Sequence, residues 1–267
     1  MTKAVLVSFR NYVWLEDHKY FDVIFDFFMK NFKEHWYDEI DKLYILDSKW
    51  DAVYDDPKVE IVKVDENLRY YEALKEFLPK VKEDLVMFLD NDMVVAEDKF
   101  IADAFKLIEN GEYEVVTIMD TIGTWTTDRL KLGNKFCPYF FACPKDLLMK
   151  FRYSHWQPQM PDFETLGELT KDMVNAGVKV FEIEDDKNHP PLNKNFYHVR
   201  AGSTLAYLLT TKHSESESAL QYWDYLRYQP ESEIRRHAWW YDLMGGDSSE
   251  VIEDLDAKVD YPWEEKK

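Results

Sequence analysis

Asp84-Leu85-Val86-Met87-Phe88-Leu89-Asp90-Asn91-Asp92-Met93-Val94-Val95 decides the reading of this chain, because an unbroken apolar run ends in two carboxylates separated by one amide. Apolar residues without alternation suit a strand covered on both faces, as in a parallel sheet. Ligands of such sheets gather beyond the carboxyl ends of the strands, where Asp90 and Asp92 fall. Residues two apart in an extended segment share a face, so both carboxylates can address one hard cation, or one polyphosphate through it. The plainer reading is a pair of solvated turn acids. The buried run before them and Met93-Val94-Val95 after them argue against a casual surface loop.

Strand and helix signals alternate on either side of this stretch. Ala4 to Phe9 reads as a first strand that breaks at Ser8-Phe9-Arg10-Asn11, and Leu43 to Leu46 as a second that ends in Asp47-Ser48. Val59 to Val64 is a third, ending in Asp65-Glu66-Asn67, and Glu114 to Met119 follows the anchor strand. Between them, Phe21, Ile24, Phe25, Phe28 and Phe32 recur at helical steps over Tyr20 to Phe32. Leu68 to Val81 is a helix interrupted by Pro79, and Asp98 to Glu109 another, stopped by Asn110-Gly111. Alternation of this kind predicts an α/β fold with a mostly parallel sheet, right-handed crossovers and a crevice at its carboxyl edge.

Beyond Asp120 the texture becomes loop-rich and aromatic, with a short strand expected over Tyr139 to Ala142 and a short helix over Lys145 to Phe151. Tyr153 to Pro161 reads as a polar, aromatic loop, in which Trp156 is a candidate platform for a sugar ring. A helix is expected over Phe163 to Asn175 with Asp162 as its N-cap, then a strand over Val178 to Ile183. Phe196 to Arg200 resembles an edge strand broken by Ala201-Gly202-Ser203, and the chain reads as helical from Thr204. The expected organisation is a catalytic domain over 1–202 and a helical C-terminal appendage over 203–267 packed on it.

Composition narrows the function classes. With 46% hydrophobic and 16% aromatic residues the chain of 267 residues is not disordered, and 32% charged residues exclude a membrane-embedded protein. A formal net charge of −19, without a long Lys/Arg run, disfavours nucleic acid and anionic lipid as partners. An anionic substrate would then need a divalent cation as intermediary. Cys137 and Cys143 do not form a Cys-x-x-Cys pair, so neither a zinc ribbon nor a redox motif is indicated. No stretch has signal-peptide or transmembrane character, and a cytoplasmic location is the resulting expectation.

With its Asp90-Asn91-Asp92 triplet ending a mid-chain strand, the Asp162-Phe163-Glu164 acidic segment and the late His198, the chain resembles the metal-dependent glycosyltransferases of the GT-A fold. The resemblance covers roughly Ala4 to Gly202 and implies a Rossmann-like central sheet flanked by helices. It implies that Asp92 binds Mn²⁺ or Mg²⁺ bridging the diphosphate of a nucleotide-sugar donor, a UDP- or GDP-sugar, with His198 completing the metal site. It further implies that Asp90 contacts the ribose or a metal-bound water, that Ser8, Arg10, Asp47 and Arg69 hold the base and ribose, and that Arg200 helps to neutralise the diphosphate. Asp162 and Glu164 compete for the role of general base toward a glycan, lipid-linked or protein acceptor. The Asn/Gly/Ala-Arg signature of one inverting branch is missing around Asn67 to Leu74, which leaves the subfamily open. Two alternatives stand beside this reading: a haloacid-dehalogenase-like phosphatase, which also follows an apolar strand with Asp-x-Asp, and a non-catalytic glycan- or nucleotide-binding protein.

Overall fold

The structure, a computed structural model, describes residues 1–9, 19–48, 52–65, 68, 70–95, 98–121, 134–154, 156, 166–183 and 196–198, with Asp242, Asp247 and Ser249. Contacts divide the chain into two units. One comprises Met1–Asn11, Lys33–Asn91 and Asp98–Asp185, the other Tyr12–Phe32, Asp92–Glu97 and Asp186–Lys267.

Seven strands build the first unit: β1 (Lys3–Phe9), β2 (Lys42–Asp47), β3 (Val59–Lys63), β4 (Leu85–Leu89), β6 (Val115–Thr121), β7 (Asn134–Pro144) and β8 (Val180–Ile183). β5 (Met93–Val95) and β9 (Phe196–His198) belong to the second. The seven-stranded sheet runs β3-β2-β1-β4-β7-β6-β8. Its pairs β1–β2, β1–β4, β2–β3 and β6–β8 are parallel, and β7 runs antiparallel to both β4 and β6. The mostly parallel Rossmann-like sheet expected from the sequence is therefore present, with one reversed strand inside it. β7 is much longer than the Tyr139 to Ala142 strand expected, because its flanks Asn134-Lys135 and Cys143-Pro144 carry no strand signal of their own.

Helices cover both faces. Val86 and Phe88 of β4 and Phe141 of β7 share a buried cluster with Leu74 and Phe77 of α2 (Tyr70–Phe77), Leu147 and Leu148 of α4 (Lys145–Lys150) and Leu169 and Met173 of α5 (Gly167–Asn175). Phe140, one residue from Phe141 and so on the opposite face, meets Phe100 of α3 (Phe100–Glu109) with ring centroids 5.2 Å apart. Every residue of β4 is buried, as its unbroken apolar run requires. Where β6 shifts register against β7, the buried Thr117 hydroxyl lies 2.8 Å from the Phe140 carbonyl and accepts from the Cys137 N–H at 3.3 Å. It satisfies ladder groups that the irregularity leaves over. Cys137 and Cys143 are fully buried and not joined in a disulfide, and burial pushes the Cys143 thiol well up, so it acts as a small apolar residue.

Two helix starts differ from the sequence reading. α3 begins at Phe100 rather than Asp98, with Lys99 at a φ of 74° before it, and Glu39 supplies the cap from far away in the chain. Its carboxylate accepts from the backbone N–H groups of Lys99 and Ala102, the latter at 2.7 Å. α5 is described from Gly167, after Leu166 at a φ of 60°, and Asp162, the expected N-cap, lies outside the described residues. α2 ends at Phe77 and tightens into a 3₁₀ turn over Leu78–Lys80, where Pro79 forbids a further α-helical hydrogen bond.

The first turn into β4 is fixed by Asp84. Its carboxylate accepts from the Thr2 N–H at 2.9 Å and the Thr2 hydroxyl at 3.0 Å, and these donors hold its pKa below the ordinary value of 3.8. A depressed carboxyl pKa stabilises the fold above the unfolded value and loses that contribution as pH falls through the folded one. Asp84→Ala is expected to lower the urea midpoint at pH 7, and the gap from the parent protein should close below about pH 4. A gap that stays constant with pH would place the effect in packing rather than in these hydrogen bonds.

The second unit is described by α1 (Lys19–Asn31), β5 and β9. Ile24, Phe25, Phe28, Met29 and Phe32 are buried and Asp26 and Lys30 exposed, the stripe expected from the helical spacing. Beyond α1 the backbone widens into a π-turn over Phe32–Trp36. β5 pairs antiparallel with β9. Among the described residues no helix is long and apolar enough to cross a membrane. The helices expected after Thr204 lie outside the described residues, apart from single positions.

Candidate active site

Parallel register brings the polar ends of β1, β2, β3 and β4 to one edge of the sheet. Phe9 is opposite Asp47, Asp47 opposite Lys63, and Val7 opposite Leu89. Ser8 follows Val7 and Asp90 follows Leu89, so both occupy the next level of the same edge, and Ser8 itself is buried. The Asp90 N–H donates to the Tyr139 carbonyl of β7 at 3.4 Å, which carries the ladder one residue past the end of β4. Asp90 is half-buried at this edge.

Asp47 is the most enclosed acid here. Its side chain is fully buried, while Lys63, whose ammonium lies 2.5 Å from Oδ2, is 54% exposed. The same oxygen accepts from the Ala52 N–H at 3.1 Å. The pair neutralises a carboxylate that would otherwise be costly to bury, and it fixes the carboxylate's orientation at the strand end. Beside it the Ser48 hydroxyl oxygen is buried with no hydrogen-bond partner among the described residues. An unsatisfied buried hydroxyl next to an oriented carboxylate suits a hydroxylated ligand. Neither Lys63 nor Ser48 stands out in the sequence, although Lys63 ends the run Val59-Glu60-Ile61-Val62 as Asp47 ends β2.

Asp92 opens the second unit's short sheet. It is 7% exposed and directly precedes Met93, and Met93 pairs with His198 across β5 and β9. Two residue types that ligate divalent metals thus stand one register position apart on adjacent strands. No group of three His, Cys, Asp or Glu side chains that could hold a metal occurs among the described residues.

The remaining sequence-derived assignments fare differently. Arg10, Arg69, Arg200, Asp162 and Glu164 lie outside the described residues. The sugar platform expected of Trp156 is corrected: the indole is 1% exposed, sits 5.9 Å from the Phe88 ring, and directs its N–H toward the Phe151 carbonyl at 3.4 Å. A ring enclosed by the core offers no face to a sugar, however polar its neighbours Gln157 and Gln159 are.

Comparisons with known proteins bear on this edge. Residues 43–166 match the model of glycosyl transferase family 2. No curated protein sequence matches the chain. Among solved structures, the chain is similar to a mannosyltransferase from Pyrobaculum calidifontis in complex with GDP-Man and Mn²⁺, at 14% identity and a TM-score of 0.48 over 97% of this chain and 76% of that one. It is similar to glucosyl-3-phosphoglycerate synthase from Mycobacterium tuberculosis at 19% identity and a TM-score of 0.43, over 68% of each chain. A CMP:2-keto-3-deoxy-manno-octonic acid synthetase shows 12% identity and a TM-score of 0.44 over 68% of this chain and 90% of its own. The family 2 match begins in β2, passes through Asp90-Asn91-Asp92 and ends at Leu166, so a little under half of the chain is similar to that family.

Proposed function

We propose that the protein transfers a hexose from a UDP- or GDP-sugar to a glycan, lipid-linked or protein acceptor, assisted by Mn²⁺ or Mg²⁺. The observation that carries this reading is the family 2 match running through Asp90-Asn91-Asp92 at the carboxyl end of β4. Asp92 and His198 would hold the cation, as a hard carboxylate oxygen and a neutral imidazole nitrogen can. The cation supplies neutralisation of the charge that develops on the departing nucleoside diphosphate.

The other residues bind, orient and move a proton. Asp47, held by Lys63, and Ser48 accept and donate hydrogen bonds to the nucleoside, with Ser8 and Asp90 at the same edge. Arg200 pairs with phosphate oxygens, for which the guanidinium fork is suited, and Arg10 and Arg69 hold the base and ribose. Asp162 or Glu164 takes the proton from the acceptor hydroxyl as it attacks the anomeric carbon, and the nucleoside diphosphate leaves with the electron pair of the broken bond.

A thermal-shift panel of UDP-, GDP- and CDP-sugars, each in Mn²⁺ and in EDTA, tests the reading. One donor should raise the melting temperature in Mn²⁺ and much less in EDTA, and that donor should support transfer. Equal stabilisation in EDTA would remove the metal from the proposal, and stabilisation without transfer or donor hydrolysis would favour the non-catalytic binding protein. On the productive donor, Asp162→Ala and Glu164→Ala separate the base from its neighbour. One should lose turnover with donor binding intact; near-normal turnover in both would end the general-base assignment.

A further inference from the structure

We infer that Asn31 is a positioning residue for the metal site, acting through the backbone of β5. The inference rests on the proposed assignment of Asp92 and His198 as ligands. Asn31 is the last residue of α1 and lies within its apolar stripe, three after Phe28 and one before Phe32. Only 6% of it is exposed. A primary amide at such a position is tolerated only when its donor and acceptor are both met. The backbone of one residue meets both: Asn31 Nδ2 donates to the Val95 carbonyl at 2.8 Å, and Asn31 Oδ1 accepts from the Val95 N–H at 3.0 Å.

The geometry gives this contact more weight than a buried hydrogen bond alone. Within a strand the N–H and C=O of one residue point to the same side, and successive residues point to opposite sides. The Val95 groups taken by Asn31 are therefore on the side away from β9, which uses those of Val94 at the Val94–Tyr197 pair. Asn31 does for that edge what a third strand would do. β5 has only three residues, and a two-stranded sheet of that length does not hold its own register. Met93, at its start, pairs with His198 and follows Asp92. A slip or tilt of β5 moves Asp92 against His198 on the neighbouring strand, and the Asn31 side chain opposes it. The signal was available in the sequence, as an amide inside an otherwise apolar helical stripe, but its partner was not.

The experiment compares Mn²⁺ affinity, measured by electron paramagnetic resonance in the presence of UDP and in a parallel arm of GDP, for the parent, Asn31→Ala, Asn31→Asp and Leu74→Ala. Asn31→Asp keeps the acceptor and loses the donor. Leu74, fully buried in α2, gives a destabilised control away from β5. Asn31→Ala should weaken Mn²⁺ binding about tenfold, the lower range for residues that support a ligand from behind. Asn31→Asp should fall between it and the parent, and Leu74→Ala should melt earlier with unchanged affinity. At saturating Mn²⁺ the kcat of the Asn31 variants should return to within about threefold of the parent, since a positioning defect of this kind is read in metal affinity. Parental Mn²⁺ affinity in Asn31→Asp and in any folded Asn31→Ala overturns the inference, leaving Asn31 as a packing residue. If the parent itself binds no Mn²⁺ with either nucleotide, the metal reading fails first, before any variant is compared.

Discussion

Asp92→Asn is expected to abolish metal-dependent transfer, lowering turnover by about a thousandfold, while the protein melts in EDTA within a few degrees of the parent. The substitution keeps size and one carbonyl oxygen but removes the charge that makes the side chain a ligand for a hard dication. Stabilisation of a leaving diphosphate by such an ion amounts to several kcal/mol, and each 1.4 kcal/mol or so is tenfold in rate, which gives the figure of about a thousand. The same variant should lose the extra thermal shift that Mn²⁺ adds to donor binding. Asp90→Asn should cost less, about ten- to a hundredfold, because a contact to ribose or metal-bound water is replaced more readily than a ligand. His198→Ala should weaken Mn²⁺ binding and transfer together, and unchanged affinity would remove His198 from the site even if activity fell. Asp92 is 7% exposed, so a structural role has to be tested as well. Were Asp92→Asn to melt far below the parent in EDTA, with residual activity tracking the folded fraction, the carboxylate would be holding the fold and not a metal.

The sheet was legible because its strands announce themselves in one dimension. Leu85 to Leu89, Ala4 to Phe9 and Leu43 to Leu46 are apolar runs with polar ends, and that pattern alone predicts buried parallel strands with a crevice where the polar residues fall. Asp90 and Asp47 were found in this way, by position on a strand rather than by partner. What escaped the reading depends on partners distant in the chain. Glu39 caps a helix that starts some sixty residues later, Asn31 pairs with the backbone of a residue about as far away, and Lys63 neutralises Asp47 across a strand pair. Local signals also misled where they were strong. Asp98 carries the chemistry of a helix start, yet α3 begins at Phe100. The antiparallel insertion of β7 between β4 and β6 has no signature at all, since an apolar strand reads alike in either direction.

Trp156→Ala is expected to cost about 3–5 kcal/mol of stability, the range for truncating a large aromatic ring in a packed core. For a chain of this size each kcal/mol corresponds to a few degrees, so the melting temperature should fall by about 6–20 °C. The ring packs against Phe88 of β4 and shares the buried cluster with Leu169 and Met173 of α5. Its removal opens a cavity between the anchor strand and that helix. The backbone adds a second constraint, because the Trp156 carbonyl accepts the Leu166 N–H at 3.1 Å, just where Leu166 takes a left-handed conformation before α5. That conformation is unfavourable for leucine and persists only where its surroundings impose it. Trp156→Phe, which keeps an aromatic body in the space, should recover most of the loss. The sugar-platform reading predicts the reverse pattern: an unchanged melting temperature, a raised KM, and only partial rescue by phenylalanine. Kinetics measured well below the melting temperature decide between them. With Trp156 in the core, kcat and KM per folded molecule should stay within about twofold of the parent, because the ring is enclosed by the buried cluster and only 1% exposed.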